Sequence, residues 1–541
     1  MRINPRMIDV PGFGISMPKI DCLEIRANGV RKASIDIAKG ADFGYHWQML
    51  RRQPANVTKR YQSISHLIYV DQTNRIQSPW VNHVLNEFNR EISSYNIGPL
   101  QLLQQRATML PSSGATPDGI KRGLEAARSS RADLVVLLLP TSGSADASAY
   151  RYFKSQADQV YGFKSICMAE DKLLKGGLEK ALRNSHHPGP GCLRYYMSGV
   201  ALKLNIKLGN WNWEVSNNEI VPHLRGYQGT RLNTMVLGAD VTHPSMASVP
   251  GTPSIAAVVG SVDLICGRMP GSMRCQPSRT ELIEKLSEMV EERLADWNSA
   301  ARTRGTLNEL VLPSRIIYYR DGVSESQYAA IKAVELPQIK DGWARARAKA
   351  LAAARPGAVI PTSLAVTVVL VSKRHNTRFY PNPKDHPLRD TPVNQSNGKG
   401  KGNLKPGVVI ESVVTSPYWH DFYLNSHFGL QGTVRPCHYI VLEDENKLKA
   451  QQLQSFTFLL CHMYQRAMCA VSYATPTYYA DRLCERGRHY LAEFFDGTVD
   501  VRGVSDEALQ KRIRDTWCKG DPSRERKNPW HRNLDGTMFW L

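Results

Sequence analysis

Apolar residues along this chain follow two spacings: short unbroken runs, and longer stretches in which they recur every three or four positions. The first run is "SHLIYVD" at 65–71. It is followed by helical spacing from about Trp80 to Tyr95, an extended candidate near "LQLLQQR", a second helical stretch near "PDGIKRGLEAARSS", and the run "ADLVVLLLP" at 132–140. A second block of the same kind opens at "NTMVLGAD", continues through "SIAAVVGSVD", "SRIIYYRD" and "LAVTVVLVSK", and closes with two long helices after "HYIVLED". Apolar runs interleaved with amphipathic helices predict strands buried on both faces, hence an α/β fold with parallel sheets that take ligands at strand ends. Residues 1 to about 65 carry only short extended segments such as "MPKIDCLEIRA", broken by Gly and Pro, and read as a linker docked on the rest. The stretch 390–407 is polar, glycine-rich and basic, and reads as an exposed loop.

At 541 residues the chain is too long for one core and calls for about two to four domains. Lys and Arg number 69 against 49 Asp and Glu, and the resulting net charge of +20 points to a polyanionic partner, nucleic acid foremost. No run of 18 apolar residues and no concentrated basic amphipathic helix favours a membrane, and the opening "MRINPRMIDVPGFG" lacks the apolar centre of a secretory signal. Ten cysteines without a C-x-x-C pair indicate neither a zinc cluster nor a disulfide framework, and suggest a reducing compartment, the cytoplasm or the nucleus.

In "TMVLGADVTHPS" (234–245) an apolar run stops on Asp240, where an unpaired buried charge is costly. "RIIYYRDGVSE" repeats the arrangement with Asp321 beside a glycine, so two strands of one block can bring carboxylates to one sheet edge. Glu281 in "SRTELIEKLSEMVEERLADW" reads either as a third acid or as the partner of Ser278 in a capping box at a helix start. Asp481 follows Thr475 and Pro476, which read as the N-cap and first turn of a helix whose dipole favours an acid. None of the four is diagnostic alone. Together they suit phosphodiester hydrolysis by two Mg²⁺ ions about 3.5–4 Å apart, which needs several carboxylates converging on one point.

Basic positions form a second set. In "GCLRYYMSGVALKLNIKLGN", Leu193, Met197, Val200, Ala201 and Leu204 trace a buried helical stripe, with Lys203 and Lys207 one turn apart. Like charges at that spacing cost about 0.2–0.5 kcal/mol unless an anion lies between them; a solvated face is the other reading. "AYRYFK", beyond the strand "ADLVVLLLP", sets Tyr150 and Lys154 one helical turn apart and reads as a phosphate pocket at a helix N-terminus. "VSKRHNTRFYPNPK" (371–384) adds Lys373, Arg374, His375 and Arg378 interleaved with Tyr380, a composition suited to the backbone of A-form RNA.

These motifs resemble a eukaryotic Argonaute of the fungal quelling-type branch. "LGADVTHP", "PSIAAVVGSVD", "YYRDGVSE", "KRHNTRFY", "GTVRPCHYIVL", "CHMYQRAMCAVSYATPTYYADRLCERGR" and the terminal "TMFWL" stand in that family's order over nearly the whole chain. The resemblance implies a linker L2 over residues 1–65, a Rossmann-like MID domain over 66–220 that holds the guide's 5′ end, and an RNase H-like PIWI domain over 221–541. It maps the slicer tetrad onto Asp240, Glu281, Asp321 and Asp481, with Asp240, Asp321 and Asp481 as ligands of Mg²⁺ or Mn²⁺. The fourth ligand is His in many relatives and Asp in others. For the guide 5′ phosphate it implicates Tyr150, Lys154, Lys203 and Lys207, joined from PIWI by Arg466 and Arg486. Lys373, Arg374, His375, Arg378 and Arg435 fall to the guide and target backbones. Asp481 and Arg486 are five residues apart, about 140° around a helix, so one helix can serve both sites from different faces.

The chain departs from the family at three points. Ile166 precedes Cys167 in "KSICMAED" where the family has glutamine; the stretch from Cys167 to Lys203 is longer than usual and contains Glu170 and Asp171; and the N and PAZ domains, with the pocket for the guide's 3′ end, are not in the sequence. The expected function is guide-RNA-directed cleavage of a paired target RNA by a monomer, with silencing-complex proteins as further partners. A non-cleaving guide-binding silencing factor is the first alternative. An unguided RNase H or transposase-type nuclease is the second.

Overall fold

The computed structural model describes residues 15–16, 22–27, 30–36, 65–70, 79–94, 107–110, 114–139, 144–169, 193–215, 217–225, 232–303, 311–354, 358–380, 403–429, 432–467, 469–521 and 527–541. Its strands, in chain order, are β1 (Ile15–Ser16), β2 (Cys22–Ala27), β3 (Val30–Asp36), β4 (Ser65–Val70), β5 (Ala107–Leu110), β6 (Leu134–Leu139), β7 (Lys164–Ala169) and β8 (Glu214–Val215). They continue with β9 (Thr234–Thr242), β10 (Ser254–Gly260), β11 (Gly271–Gln276), β12 (Arg315–Asp321), β13 (Ala365–Ser372), β14 (Val408–Ile410), β15 (His420–Asn425) and β16 (Cys437–Asp444). The α/β reading holds. The extended candidate at "LQLLQQR" lies outside the described residues, and the strand found there, β5, occupies the four residues after it.

A four-stranded parallel sheet, ordered β5-β4-β6-β7, forms the first block. All six residues of β6 are buried because its two faces feed two cores. Leu134, Val136 and Leu138 join Leu85, Phe88 and Ile92 of the helix Pro79–Ser94 and Met197, Val200, Ala201 and Leu204 of the helix Leu193–Lys207. Val135, Leu137 and Leu139 pack instead with Ile120 and Leu124 of the helix Pro117–Ser129 and Phe153 of the helix Ser144–Ser155. The period of two along a strand thus explains an unbroken apolar run.

The second block is a nine-stranded sheet ordered β1-β14-β15-β16-β13-β12-β9-β10-β11. At its centre β12 runs parallel to both β9 and β13. Arg320 pairs with Ala239, so the next residue on each strand, Asp321 and Asp240, come side by side about one strand spacing (~4.8 Å) apart on these two central strands. The helix Thr475–Tyr490 lies on β9 and β10, and its start is admitted by Gly238: a Cβ there would sit 2.2 Å from the Pro476 carbonyl carbon. Described parts of the N-terminal 65 residues are strands annexed to other elements, β1 to β14 and β2 to both β3 and β8.

Two expectations change. Of the stretch 390–407, residues 390–402 lie outside the described residues, and 403–407 are not an exposed loop. Asn403 and Leu404 are buried: the Asn403 side chain donates to Gly432 O and accepts from Val434 N, both at 3.0 Å, while Leu404 packs with Val408, Ile410 and Tyr423. The second change concerns the helix after β11. It begins at Leu286, not near Ser278, because Gln276 holds the preceding loop through Thr280 O (2.6 Å) and Leu282 O (3.1 Å), and Ile283 N–H donates to Glu335 at 3.0 Å.

Candidate functional site

Three of the predicted acids meet where β9, β12 and the helix Thr475–Tyr490 converge. Burial holds the Asp240 carboxyl well above the usual range, and the charges of Asp321 and Asp481 push it further. Asp321 is pushed up to about 6, again by burial first, with Asp481 adding and the Gly322 N–H, donating to Oδ1 at 2.7 Å, opposing. Asp481, in the second turn of its helix, is raised by burial and then by Glu485. The nearby Tyr473 hydroxyl is raised by burial and then by the charges of Asp481 and Asp321, with Asp240 adding. The helix itself starts one residue earlier than expected: Ala474 is the N-cap, and the Thr475 hydroxyl donates to Leu460 O at 2.5 Å.

Glu281 lies in the loop ahead of Leu286, so the capping-box reading falls. Its Oε2 is 2.6 Å from His243 Nε2, and the other ring nitrogen of His243 is 2.8 Å from Ser254 Oγ. Its Oε1 is 2.8 Å from Arg320 Nη2, but that nitrogen donates to the Glu281 main-chain oxygen at 2.5 Å instead, and Oε1 is buried without a hydrogen bond. Arg320 is fully buried and is anchored from behind by both carboxylate oxygens of Glu335 at 3.3 Å. Gly322, at φ +85°, leaves open the space into which Oε1 faces: a methyl there would lie 3.3 Å from Glu281 Oε1 and 3.6 Å from Asp240 Oδ1.

Among the described residues no three His, Cys, Asp or Glu side chains are already drawn into a closed ligand cluster. The donor set nevertheless fits divalent cations. Three hard oxygen donors carry raised pKa values, one buried carboxylate oxygen lacks a hydrogen bond, and a glycine keeps the intervening space clear.

All six residues expected at a 5′ phosphate line one cavity of about 160 Å³: Tyr150, Lys154, Lys203, Lys207, Arg466 and Arg486. The solvated-face reading of Lys203 and Lys207 therefore fails. So does the helix N-terminus: Lys154 lies in the last turn of Ser144–Ser155, and its ammonium donates to Ser165 O at 2.9 Å and Ser165 Oγ at 2.8 Å. Burial, with Arg486 adding, lowers Lys154 to about 7; burial, with Arg466 adding, lowers Lys203 to about 8. Lys207 is held well below the ordinary lysine range, by burial and then by Lys154, and donates to Phe539 O. Arg486 pairs with Asp158 Oδ2 at 2.7 Å and donates to Trp540 O at 3.0 Å, while Tyr490 OH donates to the same Asp158 oxygen at 2.9 Å. One buried carboxylate thus faces a crowd of partly dehydrated cations, an imbalance that an anion would correct.

Sequence reasoning missed Arg482, Glu485 and His489, which line the cavity from the same helix as Arg486. Positions 482, 485, 486 and 489 recur at helical spacing, so that face was available from the sequence once Arg486 was chosen. Asp158, Arg320 and His243 were missed as well, and only the buried charge of Arg320 within an apolar run offered a signal. Of the residues given to RNA backbones, Lys373 donates to Arg435 O at 2.6 Å, His375 Nε2 sits 2.8 Å from Pro436 O, and Arg378 donates to His375 O and Thr377 O. Arg374 and Arg435 are exposed, and Arg374 acts electrostatically on Asp321 and Asp481.

A family model described as the Piwi domain matches residues 134–492, more than half of the chain and every acid and cavity residue named above from Tyr150 to Arg486. The chain belongs to the Argonaute family of Piwi-domain proteins. It is 34% identical over 393 residues to Protein argonaute 18 of Oryza sativa subsp. japonica, an alignment covering 71% of this chain and 32% of that protein. The chain thus spans about a third of the length of this curated relative. Its fold is similar to that of a Kluyveromyces polysporus Argonaute solved with a guide RNA, with a TM-score of 0.71 at 22% identity over 96% of this chain and 56% of that one. It is equally similar to the C-terminal lobe of a budding yeast Argonaute, with a TM-score of 0.70 at 23% identity over 96% of this chain and 94% of that one.

Proposed function

We propose that this Argonaute chain holds the 5′-phosphorylated end of a guide RNA in the lysine-lined cavity and cuts a paired target RNA at the acid cluster. The observation that carries this reading is the helix Thr475–Tyr490, which delivers Asp481 to the acids and Arg486 to the cavity. Asp240, Asp321 and Asp481 would hold Mg²⁺ or Mn²⁺, with Glu281 completing the donor set from its loop. Bound there, such ions supply an activated water and a steadied leaving oxygen for phosphodiester hydrolysis. The chain's own contribution is placement. Arg320, fixed by Glu335, holds the Glu281 loop; the Gly322 N–H orients Asp321; and Lys154, Lys203, Lys207, Arg466 and Arg486 neutralise the terminal phosphate and so fix where the guide begins.

In a purified system with a short 5′-phosphorylated guide and a matched labelled target, Asp240→Ala and Asp321→Ala should abolish divalent-dependent cleavage and leave guide affinity unchanged. Lys203→Ala and Lys207→Ala should remove the preference for 5′-phosphate over 5′-hydroxyl RNA. Cleavage that survives either Asp substitution would refute the assignment of the acids. A second reading, a guide-binding silencing factor without cleavage, is favoured by Glu281 being already engaged by His243 and Arg320 and by the open acid cluster. Phosphate-dependent guide binding with no product at any Mg²⁺ or Mn²⁺ concentration would select it.

A further inference from the structure

Arg482 borders both sites. It lines the cavity, yet its Nη2 lies 3.6 Å from Asp481 Oδ2 and its Nη1 donates to Glu485 Oε2 at 2.6 Å. Adjacent helical residues do not face one another, so the guanidinium reaches Asp481 only by lying back across the helix. Tyr478, one turn earlier, supports it there: the guanidinium sits 5.0 Å from the ring centroid, and the tyrosine hydroxyl accepts from Nη2 at 3.4 Å. Arg482 Nε is buried without a hydrogen-bond partner among the described residues, while 29% of the side chain is exposed, enough to swing. The arginine therefore rests on two carboxylates beside a cavity in which Arg486 is paired with Asp158 while Lys154 and Lys207 donate to uncharged oxygens.

We propose that Arg482 is a positioning residue that reports occupancy of the cavity to the acid cluster: a terminal phosphate draws the guanidinium away from Asp481 and frees that carboxylate for a divalent cation. The inference rests on the reading of the cavity as a 5′-phosphate site. A phosphate offers three strong acceptor oxygens and up to two charges, and outcompetes a carboxylate that touches the guanidinium only at 3.6 Å. No covalent bond changes; one ion pair is exchanged for another. The linkage is reciprocal, so a cation that claims Asp481 releases Arg482 toward the phosphate. Glu485 opposes the swing through its shorter contact and sets how strongly the phosphate must pull.

The test titrates the full chain with Mn²⁺, following free Mn²⁺ by electron paramagnetic resonance, in the presence of a short RNA carrying either a 5′ phosphate or a 5′ hydroxyl. In the unsubstituted chain the phosphorylated RNA should tighten Mn²⁺ binding about five- to tenfold, within the ordinary range of site-to-site coupling, and the hydroxyl RNA should leave it unchanged. Arg482→Met should bind Mn²⁺ tightly with either RNA, and Glu485→Gln should enlarge the preference for phosphorylated RNA. Coupling of equal size in Arg482→Met overturns the proposal. It is overturned too if phosphorylated RNA is preferred but Mn²⁺ affinity ignores it. RNA binding with no phosphate preference overturns the cavity reading itself, and this linkage falls with it.

Discussion

Lys154 and Lys203 are lysines that the fold has brought down to about 7 and 8, and both must be protonated to meet an anion. The advantage of 5′-phosphate over 5′-hydroxyl RNA should therefore be largest at pH of about 6 to 7 and shrink several-fold by pH of about 8.5, as these ammonium groups deprotonate; below pH of about 6 the phosphate loses its own second charge. Free-chain stability runs the other way. The unfolded chain binds more protons between these folded values and the ordinary lysine pKa near 10.4, so stability rises with pH across that window. Anisotropy measured with both RNAs at pH 6.5 and 8.5 checks the first trend and thermal melts the second. At the acids, Gly322→Ala would place a methyl between Glu281 Oε1 and Asp240 Oδ1 at a φ that costs an L-residue about 1–2 kcal/mol. Divalent-dependent cleavage should drop at least about tenfold while 5′-phosphate affinity stays level; an undiminished rate would show that this space is not used. Asp240 and Asp321 were legible because each closes an apolar run on a charge. Asp158, His243 and Glu335 were not, since a buried ion's partner is chosen by tertiary packing that no local pattern records.

Elements were easier to read than their ends. β6, β9, β10, β12 and β13 were visible as apolar runs because each is covered on both faces. The start of the helix Leu286–Thr303 was not visible, since helical spacing continues back through "RTELIEK" while Gln276 and Glu335 take the backbone groups of that loop for themselves. The helix Thr475–Tyr490 shows what an element can couple. Its seat on β9 depends on Gly238, and a Cβ there collides with the backbone of Pro476, which cannot yield as a side-chain tip would. Gly238→Ala should cost on the order of 1–3 kcal/mol in stability and should weaken Mn²⁺ affinity and 5′-phosphate preference together, because both Asp481 and Arg486 ride on the displaced helix. Melting and the two binding assays decide it: loss at one site with the other intact would show that the helix is not the shared support.

Over the whole molecule, a net charge of +20 pointed to a polyanion, but charge alone does not say where it binds. That information lies in contacts made across long sequence distances, such as Phe539 and Trp540, whose main-chain oxygens receive Lys207 and Arg486 and so close the cavity between the two sheets. The resemblance of the terminal "TMFWL" to family members marked this segment without saying that its backbone would cap cations. The nine-stranded sheet has one further debt to a distant segment. Among the described residues, its flank at β14 is covered by the two residues of β1, Ile15 and Ser16, paired with Ile410 and Val409. Uncovered, β14 would offer a row of unmet amide and carbonyl groups to any neighbouring molecule. A chain trimmed to begin after residue 20 should consequently self-associate as its concentration rises, seen as growing light scattering, whereas the full chain stays dispersed. On that outcome, the dispersal of the molecule would depend on a dipeptide at the opposite flank of the sheet from β11.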